Sequence, residues 1–189
     1  SVCRPFDLKR SGMVYGEGAA KLGLESRDHA ERRGVRPLAR IVGVACRCEA
    51  SAETQQPTGD AIARAIQAAL ASAGLESYHI GHVNAHGIST LEDARVEAQA
   101  IRRTLGDVPV TAPKSFFGNL GHGSGTVELA MSLVSLAQGV VPPTLNYETP
   151  DAECPVNVVT DARPVESRTF IKLNHATTGQ AAAVVVTAL

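Results

Sequence analysis

The spacing of apolar residues predicts helices in the middle of the chain. In residues 60–74, Ile62, Ile66 and Leu70 recur every four positions, and Gly74 follows where the pattern ends. This spacing places the three side chains on one helical face, and glycine is the commonest residue just past a helix end. We therefore predict an amphipathic helix over 60–74 that packs against a core.

A second amphipathic helix is predicted directly after Thr90. Asp93 stands three residues beyond that threonine, which is the arrangement of a capping box. The apolar stripe of this helix consists of Ala94, Ala98, Ile101 and Leu105. We expect this stripe to be buried.

The stretch 126–139 is apolar on nearly every side, a pattern typical of a helix buried within a core. Its polar exceptions are Glu128, Ser132 and Ser135. Their i, i+4 and i+7 spacing aligns them in one narrow stripe. We therefore expect a core helix that carries a single polar line.

Short apolar runs between these helices predict strands. Residues 40–46 are expected to form a buried strand, and 80–86 and 108–113 are expected to form two more. The chain ends with two further strands, RTFIKLNHA and QAAAVVVTAL, around a tight HATTG turn. Strands that alternate with helices indicate an α/β fold with a largely parallel or mixed sheet.

Length and composition fit one globular domain. The 189 residues are 44% hydrophobic and 20% charged, which permits a full core and is unlike a disordered chain. The formal net charge is −1 and the 18 basic residues are scattered, which argues against a nucleic-acid surface. No apolar run approaches the roughly 18–20 residues of a membrane span, and no signal peptide is recognisable. We therefore expect a cytoplasmic protein.

The cysteine pattern indicates free thiols. Cys46 and Cys48 form a CxC pair that could bind a metal, but Cys3 and Cys154 do not form a second such pair to complete a site. A reducing compartment keeps such thiols free. We expect no metal.

The stretch KSFFGNLGHGSGTVE, residues 114–128, contains four glycines. A P-loop has its lysine after the glycines, whereas Lys114 precedes them, and the spacing does not fit a dinucleotide fingerprint. A nucleotide site is therefore disfavoured. His86 in NAHGIST follows a strand and precedes a helix, where α/β proteins place active-site residues. His86 could equally be a structural histidine that forms hydrogen bonds within its own loop. His175 could likewise serve only to close the last turn.

Several segments together resemble, in order, the β-ketoacyl-acyl carrier protein synthases, which are condensing enzymes of the thiolase fold. RPFD and RSGMVYGEGAAKLGLES resemble the family's RPFD, RDGF, GEGA and LVLE segments, and VNAHGIST resembles VNAHGTST. KSFFGNLGHGSGTVE resembles KSxxGHxxGAAGxVE, and VVPPTLNYETPDAEC resembles VPPTxNxxxPDxxC. The resemblance runs through nearly the whole chain. It implies a thiolase-like α/β fold with a mixed sheet and helices packed on it.

The resemblance also implies how the chain divides. Residues 1–50 correspond to the end of the N-terminal thiolase-like half, and 51–189 correspond to the C-terminal half. The family's nucleophilic cysteine precedes the RPFD segment by a few tens of residues, so it would lie upstream of Ser1. Cys3 is too close to that segment to be the nucleophile. We therefore expect part of a longer protein, with a face exposed here that the other half buries.

The implied activity is a decarboxylative Claisen condensation of malonyl-carrier protein with an acyl thioester, in fatty acid or polyketide biosynthesis. His86 matches the first of two residues that stabilise the enolate, which requires hydrogen-bond donors aimed at the developing oxyanion. Asn119 falls at the position of the second, with His122 as the alternative. Lys114 and Glu128 match supporting charges that orient the second donor and tie the glycine-rich loop to the following helix.

The chain departs from the family at the substrate-binding positions. Thr90 keeps one of two threonines that contact the phosphopantetheine arm, Ile88 replaces the other, and Thr178 stands where a phenylalanine gates the acyl pocket. These changes leave a second function open, that of a non-catalytic partner subunit like the chain-length factors. No cofactor is implied, because the phosphopantetheine arm arrives on the acyl carrier protein. The implied partners are that carrier protein and a second subunit, in a homodimer or a ketosynthase heterodimer.

Overall fold

The computed structural model describes residues 2–49 and 57–189. Within these ranges the helices are Arg27–Arg32 (α1), Asp60–Ala73 (α2), Leu91–Leu105 (α3), Lys114–Phe117 (α4) and Ser124–Ala137 (α5). The strands are Ala39–Cys48 (β1), His82–Asn84 (β2), Pro109–Thr111 (β3), Val140–Val141 (β4), Asn157–Val158 (β5), Arg163–Pro164 (β6), Thr169–His175 (β7) and Gln180–Ala188 (β8). The boundary expected between residues 50 and 51 lies outside the described residues and stays a prediction.

A mixed sheet forms the centre of the described chain. Its strand order is β1-β8-β7-β2-β3-β5, and β4 pairs with β6 in a separate two-stranded ribbon. β7, β2, β3 and β5 run parallel, whereas β8 is antiparallel to both β7 and β1. The mixed sheet expected from the alternation of strands and helices is therefore confirmed.

The two amphipathic helices form as predicted. Ile62 and Ile66 of α2 and Ile101 of α3 are buried in one hydrophobic cluster with Val83 of β2. Gly74 ends α2 in a left-handed conformation, with φ of 65°. The longest of the described helices is α3, with 15 residues. None of the described helices is long and apolar enough to cross a membrane.

The first strand forms, but it is not buried as expected. β1 lies at the edge of the sheet, where it pairs with β8 and packs one side against α2. Ala45 is buried, whereas Ile41 and Val44 are 44% and 53% exposed. In a strand that is covered on one face only, buried and exposed side chains alternate along the strand. A continuous run of apolar residues in the sequence does not show this alternation.

Helix α5 also differs from its prediction as an all-round core helix. Its buried residues are Ser124, Glu128, Ser132 and Leu136, whereas Val134 is 64% exposed. The polar stripe therefore faces the sheet, where the side chain of Asn84 donates hydrogen bonds to Glu128 O and Ser132 Oγ, at 2.8 and 2.7 Å. A polar residue of β2 therefore contacts the buried side of this helix.

Candidate active site

The chain leaves β2 at Asn84 and enters the loop that carries His86. The backbone N–H groups of His86 and Gly87 donate to the two carboxylate oxygens of Glu97, at 2.6 and 2.9 Å. Glu97 is fully buried on α3, and these two hydrogen bonds fix the backbone of the loop. It is not among the residues predicted from the sequence, although a carboxylate within the apolar stripe of α3 is the signal that would have found it.

A buried ion pair lies directly beneath His86. Lys114, the first residue of α4, donates to Glu128 Oε1 at 2.6 Å and to the backbone carbonyl of His86 at 2.8 Å. Its Nζ also lies 3.4 Å from His86 Nδ1, and both members of the pair are fully buried. The structure thus brings together three of the four residues predicted to be catalytic.

A second lysine joins the same carboxylate. Lys172 Nζ lies 2.6 Å from Glu128 Oε2 and donates to the carbonyl of Leu173 at 2.6 Å and to that of Ala85 at 3.3 Å. Burial lowers the pKa of Lys172 to about 8, against the opposing effect of Glu128. Lys172 was missed from the sequence, where its signal is a lysine in the middle of the apolar strand FIKLN.

His86 is held as a neutral imidazole. Burial, and then the positive charge of Lys114, keep its pKa well below the ordinary histidine value. Two donors face its Nδ1 atom, Lys114 Nζ and Asn174 Nδ2, each at 3.4 Å. Nδ1 is therefore the acceptor, and Nε2 carries the proton and is the donor. This is the protonation state that hydrogen bonding to an oxyanion requires.

Asn119 occupies a separate position in the glycine-rich loop. Its Oδ1 accepts from Ser124 Oγ at 3.1 Å and from the backbone N–H of Gly121 at 3.2 Å. These bonds orient the amide, so that Nδ2 contacts Met13 Sδ, a weak acceptor, at 2.8 Å. Asn119 is half-buried and has no hydrogen bond to His86 within the described chain.

The alternative residue of that loop, His122, is exposed. It lies in the single 3₁₀ turn Gly121–Gly123 that precedes α5. Asn119, in contrast, also pairs through its backbone with the segment before α1, since its N–H donates to Val14 O at 2.7 Å. The loop therefore fixes Asn119 and leaves His122 at its surface.

Glycines allow the glycine-rich loop to approach the backbone of the segment before α1 closely. Gly118 has φ of 77°, and a Cβ atom there would lie 2.7 Å from Val14 O. Across the contact, a Cβ atom at Gly16 would lie 1.9 Å from Phe117 O. The two chain segments can approach only because both positions lack a side chain. Residues 12–26 form no strand, and Tyr15 forms an isolated bridge with Asn119.

The three predicted substrate-binding residues are dispersed. Thr90 is the N-cap residue of α3, but its hydroxyl bonds to the carboxylate of Asp93 at 2.6 Å and not to the backbone as a capping box requires. Ile88 is half-buried in the loop after His86. Thr178 is exposed in the β7–β8 turn, where its hydroxyl bonds to the Gln180 side chain.

His175, at the end of β7, does more than close the last turn. Its ring centroid lies 4.5 Å from that of His86, and its Nε2 lies 3.7 Å from Glu97 Oε2. An open cavity of about 490 Å³ borders it and is also lined by the exposed thiols of Cys46 and Cys48. The two histidines and Glu97 therefore form one cluster at the edge of the sheet.

The remaining thiols are unsuited to nucleophilic chemistry. Burial raises the pKa of Cys3 to about 11 and that of Cys154 to about 12, so both are protonated at neutral pH. In the part of the chain that the structure describes, no group of three or more histidine, cysteine, aspartate or glutamate side chains could hold a metal ion.

Comparison with known proteins gives concordant results. The model of the family described as "Beta-ketoacyl synthase, C-terminal domain" matches residues 38–148. The chain is 40% identical over 190 residues to a putative polyketide beta-ketoacyl synthase 1 of Streptomyces halstedii, across 97% of this chain and 45% of that protein. It superimposes on a structure of the ishigamide ketosynthase/chain length factor with a TM-score of 0.93 and 33% identity, over 100% of this chain and 47% of that one.

A third relative is a type II polyketide ketosynthase in complex with its acyl-carrier protein and bound to the hexaketide. The TM-score is 0.92 at 31% identity, over 100% of this chain and 48% of that chain. The chain thus spans less than half the length of the relatives it matches. These likenesses confirm the thiolase-like fold that the resemblance implied. With the family model matching more than half of its residues, the chain belongs to the β-ketoacyl synthase C-terminal domain family.

Proposed function

We propose that this chain forms the enolate-stabilising region of a 3-oxoacyl-[acyl-carrier-protein] synthase. The full-length protein would carry out the decarboxylative Claisen condensation of malonyl-carrier protein with an acyl thioester, in fatty acid or polyketide biosynthesis. The observation that carries the proposal is His86 itself, a buried neutral imidazole whose Nδ1 faces two donors, so that Nε2–H is available.

The chemistry assigned to these residues is the stabilisation of negative charge. On decarboxylation, the bond between the malonyl carboxylate and Cα breaks, CO₂ leaves, and the electron pair forms an enolate. Its negative charge lies largely on the thioester oxygen, where a hydrogen bond from His86 Nε2–H is stronger than in the ground state. The enolate carbon then attacks the carbonyl carbon of the acyl thioester, which a cysteine outside this chain would hold. The new C–C bond forms, the C–S bond breaks, and the cysteine leaves as its thiolate.

We assign the second hydrogen bond to Asn119. Its Oδ1 is already used by Ser124 and Gly121, while its Nδ2 contacts only a thioether, so the amide N–H can be given to a stronger acceptor. An amide donates without titrating, which makes asparagine a suitable replacement for a neutral histidine. Lys114 and Glu128 would support the site through His86, which Lys114 contacts.

The substrates and partners follow from the same proposal. The phosphopantetheine arm would be brought by an acyl carrier protein, so that the chain needs no cofactor of its own, and Thr90, Ile88 and Thr178 would border the arm and the acyl chain. The protein would act in the cytoplasm, as a homodimer or in a ketosynthase heterodimer. The type II ketosynthase cited above, bound to its acyl-carrier protein, supports the assignment of the carrier.

A second candidate function is that of a chain-length-factor-like partner subunit. It is favoured by the replacement of the second family histidine by Asn119 and of the gating phenylalanine by Thr178. The residue at the nucleophile position of the full-length protein separates the two functions. Cysteine there supports the synthase, and glutamine or another unreactive residue supports the partner subunit.

The test is malonyl decarboxylation by the full-length protein and its His86→Ala variant. We expect a loss of about 100–1000-fold in the rate of CO₂ release, the usual cost of removing one oxyanion donor. His29→Ala, which removes an exposed histidine of α1, is the matched control and should retain the wild-type rate. Undiminished CO₂ release by His86→Ala would overturn the proposal.

A further inference from the structure

Two of the four lysines in the chain are buried at one carboxylate. Lys114 and Lys172 each lie 2.6 Å from a different oxygen of Glu128, whereas Lys9 and Lys21 are exposed. Burying an ammonium group is costly even when it is paired, so an ion pair of this kind is weak evidence for a role in stability. The family resemblance accounts for Lys114 and Glu128 and leaves Lys172 without a role.

The geometry around Lys172 relates it to His86. Its Nζ lies 3.3 Å from the carbonyl oxygen of Ala85, and Lys114 Nζ lies 2.8 Å from that of His86. Glu97 accepts the backbone N–H of His86 from the opposite side, at 2.6 Å. Buried charges on β7, α4 and α3 therefore hold the peptide groups on both sides of the histidine.

We propose that Lys172 is a positioning residue for His86, because it holds the Ala85 carbonyl and shares Glu128 with the lysine that contacts the imidazole. This inference rests on the proposed function, in which His86 donates to the enolate oxygen. Without the Lys172 ammonium, the Ala85 carbonyl loses this donor and Glu128 keeps a single counter-charge. Lys114 would then be drawn toward the carboxylate and away from His86 Nδ1.

The arrangement gives the site a dependence on pH. The charged and titratable groups that face Lys172 are Glu128 on α5, Lys114 on α4, Glu97 on α3 and, beyond β2, His86. The pKa of Lys172 is lowered to about 8, so the ammonium is present below that pH and is lost as the pH rises through it. Positioning of His86 should therefore be complete at pH 7 and weaken on the alkaline side.

The first test compares full-length wild-type protein with Lys172→Met, a substitution of similar length without the charge. We expect kcat for malonyl decarboxylation to fall about 10–100-fold, as expected for a small misplacement of a catalytic group, with little change in KM. We also expect the alkaline decline of the wild-type rate near pH 8 to disappear. Lys21→Met, which removes an exposed lysine, should keep both the rate and the pH profile.

The second test does not depend on activity. In full-length protein labelled with ¹⁵N-histidine, the His86 resonances, identified by their loss in His86→Ala, should show the Nε2–H tautomer and shift near pH 8 as Lys172 loses its proton. Lys172→Met should lack this shift. If Lys172→Met does not fold, the titration of the wild-type protein decides, since an invariant His86 signal across pH 8 overturns the role of Lys172.

The outcomes separate the two proposals. Absence of decarboxylation in wild-type protein would count against the proposed function, and the histidine resonances would still decide whether Lys172 positions His86. Normal decarboxylation that is lost in His86→Ala but unchanged in rate and pH profile in Lys172→Met would overturn only the role of Lys172.

Discussion

Helices α2 and α5 have the same length, fourteen residues each, and turn opposite kinds of surface toward the protein. α2 buries seven apolar residues, including Ile62, Ile66 and Leu70. α5 buries two serines, a glutamate and one leucine, while apolar residues such as Val134 stay outside. Hydrophobic burial decides the orientation of α2. Leu129, Leu133 and Leu136 of α5 also pack on a cluster around Phe170. The orientation of α5 depends in addition on specific polar partners, which a hydrophobic pattern does not reveal.

The buried polar side chains of α5 contact polar groups outside the helix. Glu128 pairs with Lys114 and Lys172, Ser132 accepts from Asn84, and Ser124 accepts from the backbone N–H of Leu120. A buried polar group without a partner costs free energy, and these contacts remove that cost. The polar stripe is therefore stable only while its partners remain in place.

The largest effect is expected from Glu128→Gln, which leaves two buried ammonium groups without a carboxylate. We expect the free energy of unfolding of the full-length protein to fall by about 3–5 kcal/mol, the usual result of removing one member of a buried ion pair. Chemical denaturation measures this loss. Glu17→Gln, at an exposed position, is the control, and a loss below about 1 kcal/mol in Glu128→Gln would show that polar pairing does not hold α5.

The corresponding change in α2 is Ile66→Ala, which creates a cavity at a fully buried position. We expect a loss of about 2–4 kcal/mol in the same denaturation experiment. Ile66→Val should cost about 1 kcal/mol, because it removes a single methyl group. Equal effects of the two substitutions would mean that packing at Ile66 does not hold α2 in place.

The sequence alone predicts the elements that depend on local pattern. The helix over 60–74 and its end at Gly74 follow from spacing and a glycine, and both are confirmed. The buried side of α5 depends on Asn84, which lies 44 positions away from Glu128 in the chain, so no local pattern contains it. The burial of β1 was predicted wrongly for a related reason, since it depends on which strands become neighbours in the sheet.

The residues of the candidate site likewise fall into those that the sequence predicts and those that depend on the packing of distant elements. His86, Lys114 and Glu128 were predicted because the sequence resembles the family at those positions, and the structure brings them together. Glu97 and Lys172 were missed, because their contacts with residues 85 to 87 and with Glu128 arise only when distant elements pack. A charged residue inside an otherwise apolar stripe or strand was the signal in both cases.

A smaller effect is expected from Ser132→Ala. The side-chain amide of Asn84 would lose one of its two acceptors in a buried site and keep the carbonyl of Glu128. We expect a loss of about 1–2 kcal/mol in the free energy of unfolding. Ser72→Ala, at an exposed position of α2, should have almost no effect. A stabilised Ser132→Ala protein would mean that apolar packing is preferred along the inner side of α5.

The smallest effects concern the outward sides of the two helices. Gln67 of α2 is exposed, and Gln67→Ala should change the free energy of unfolding by less than about 0.5 kcal/mol. Val134 of α5 is 64% exposed, so Val134→Ala should likewise change the free energy of unfolding by less than about 0.5 kcal/mol. Denaturation of both variants decides, since a loss above about 1 kcal/mol at Val134 would mean that this side of α5 is covered in the full-length protein.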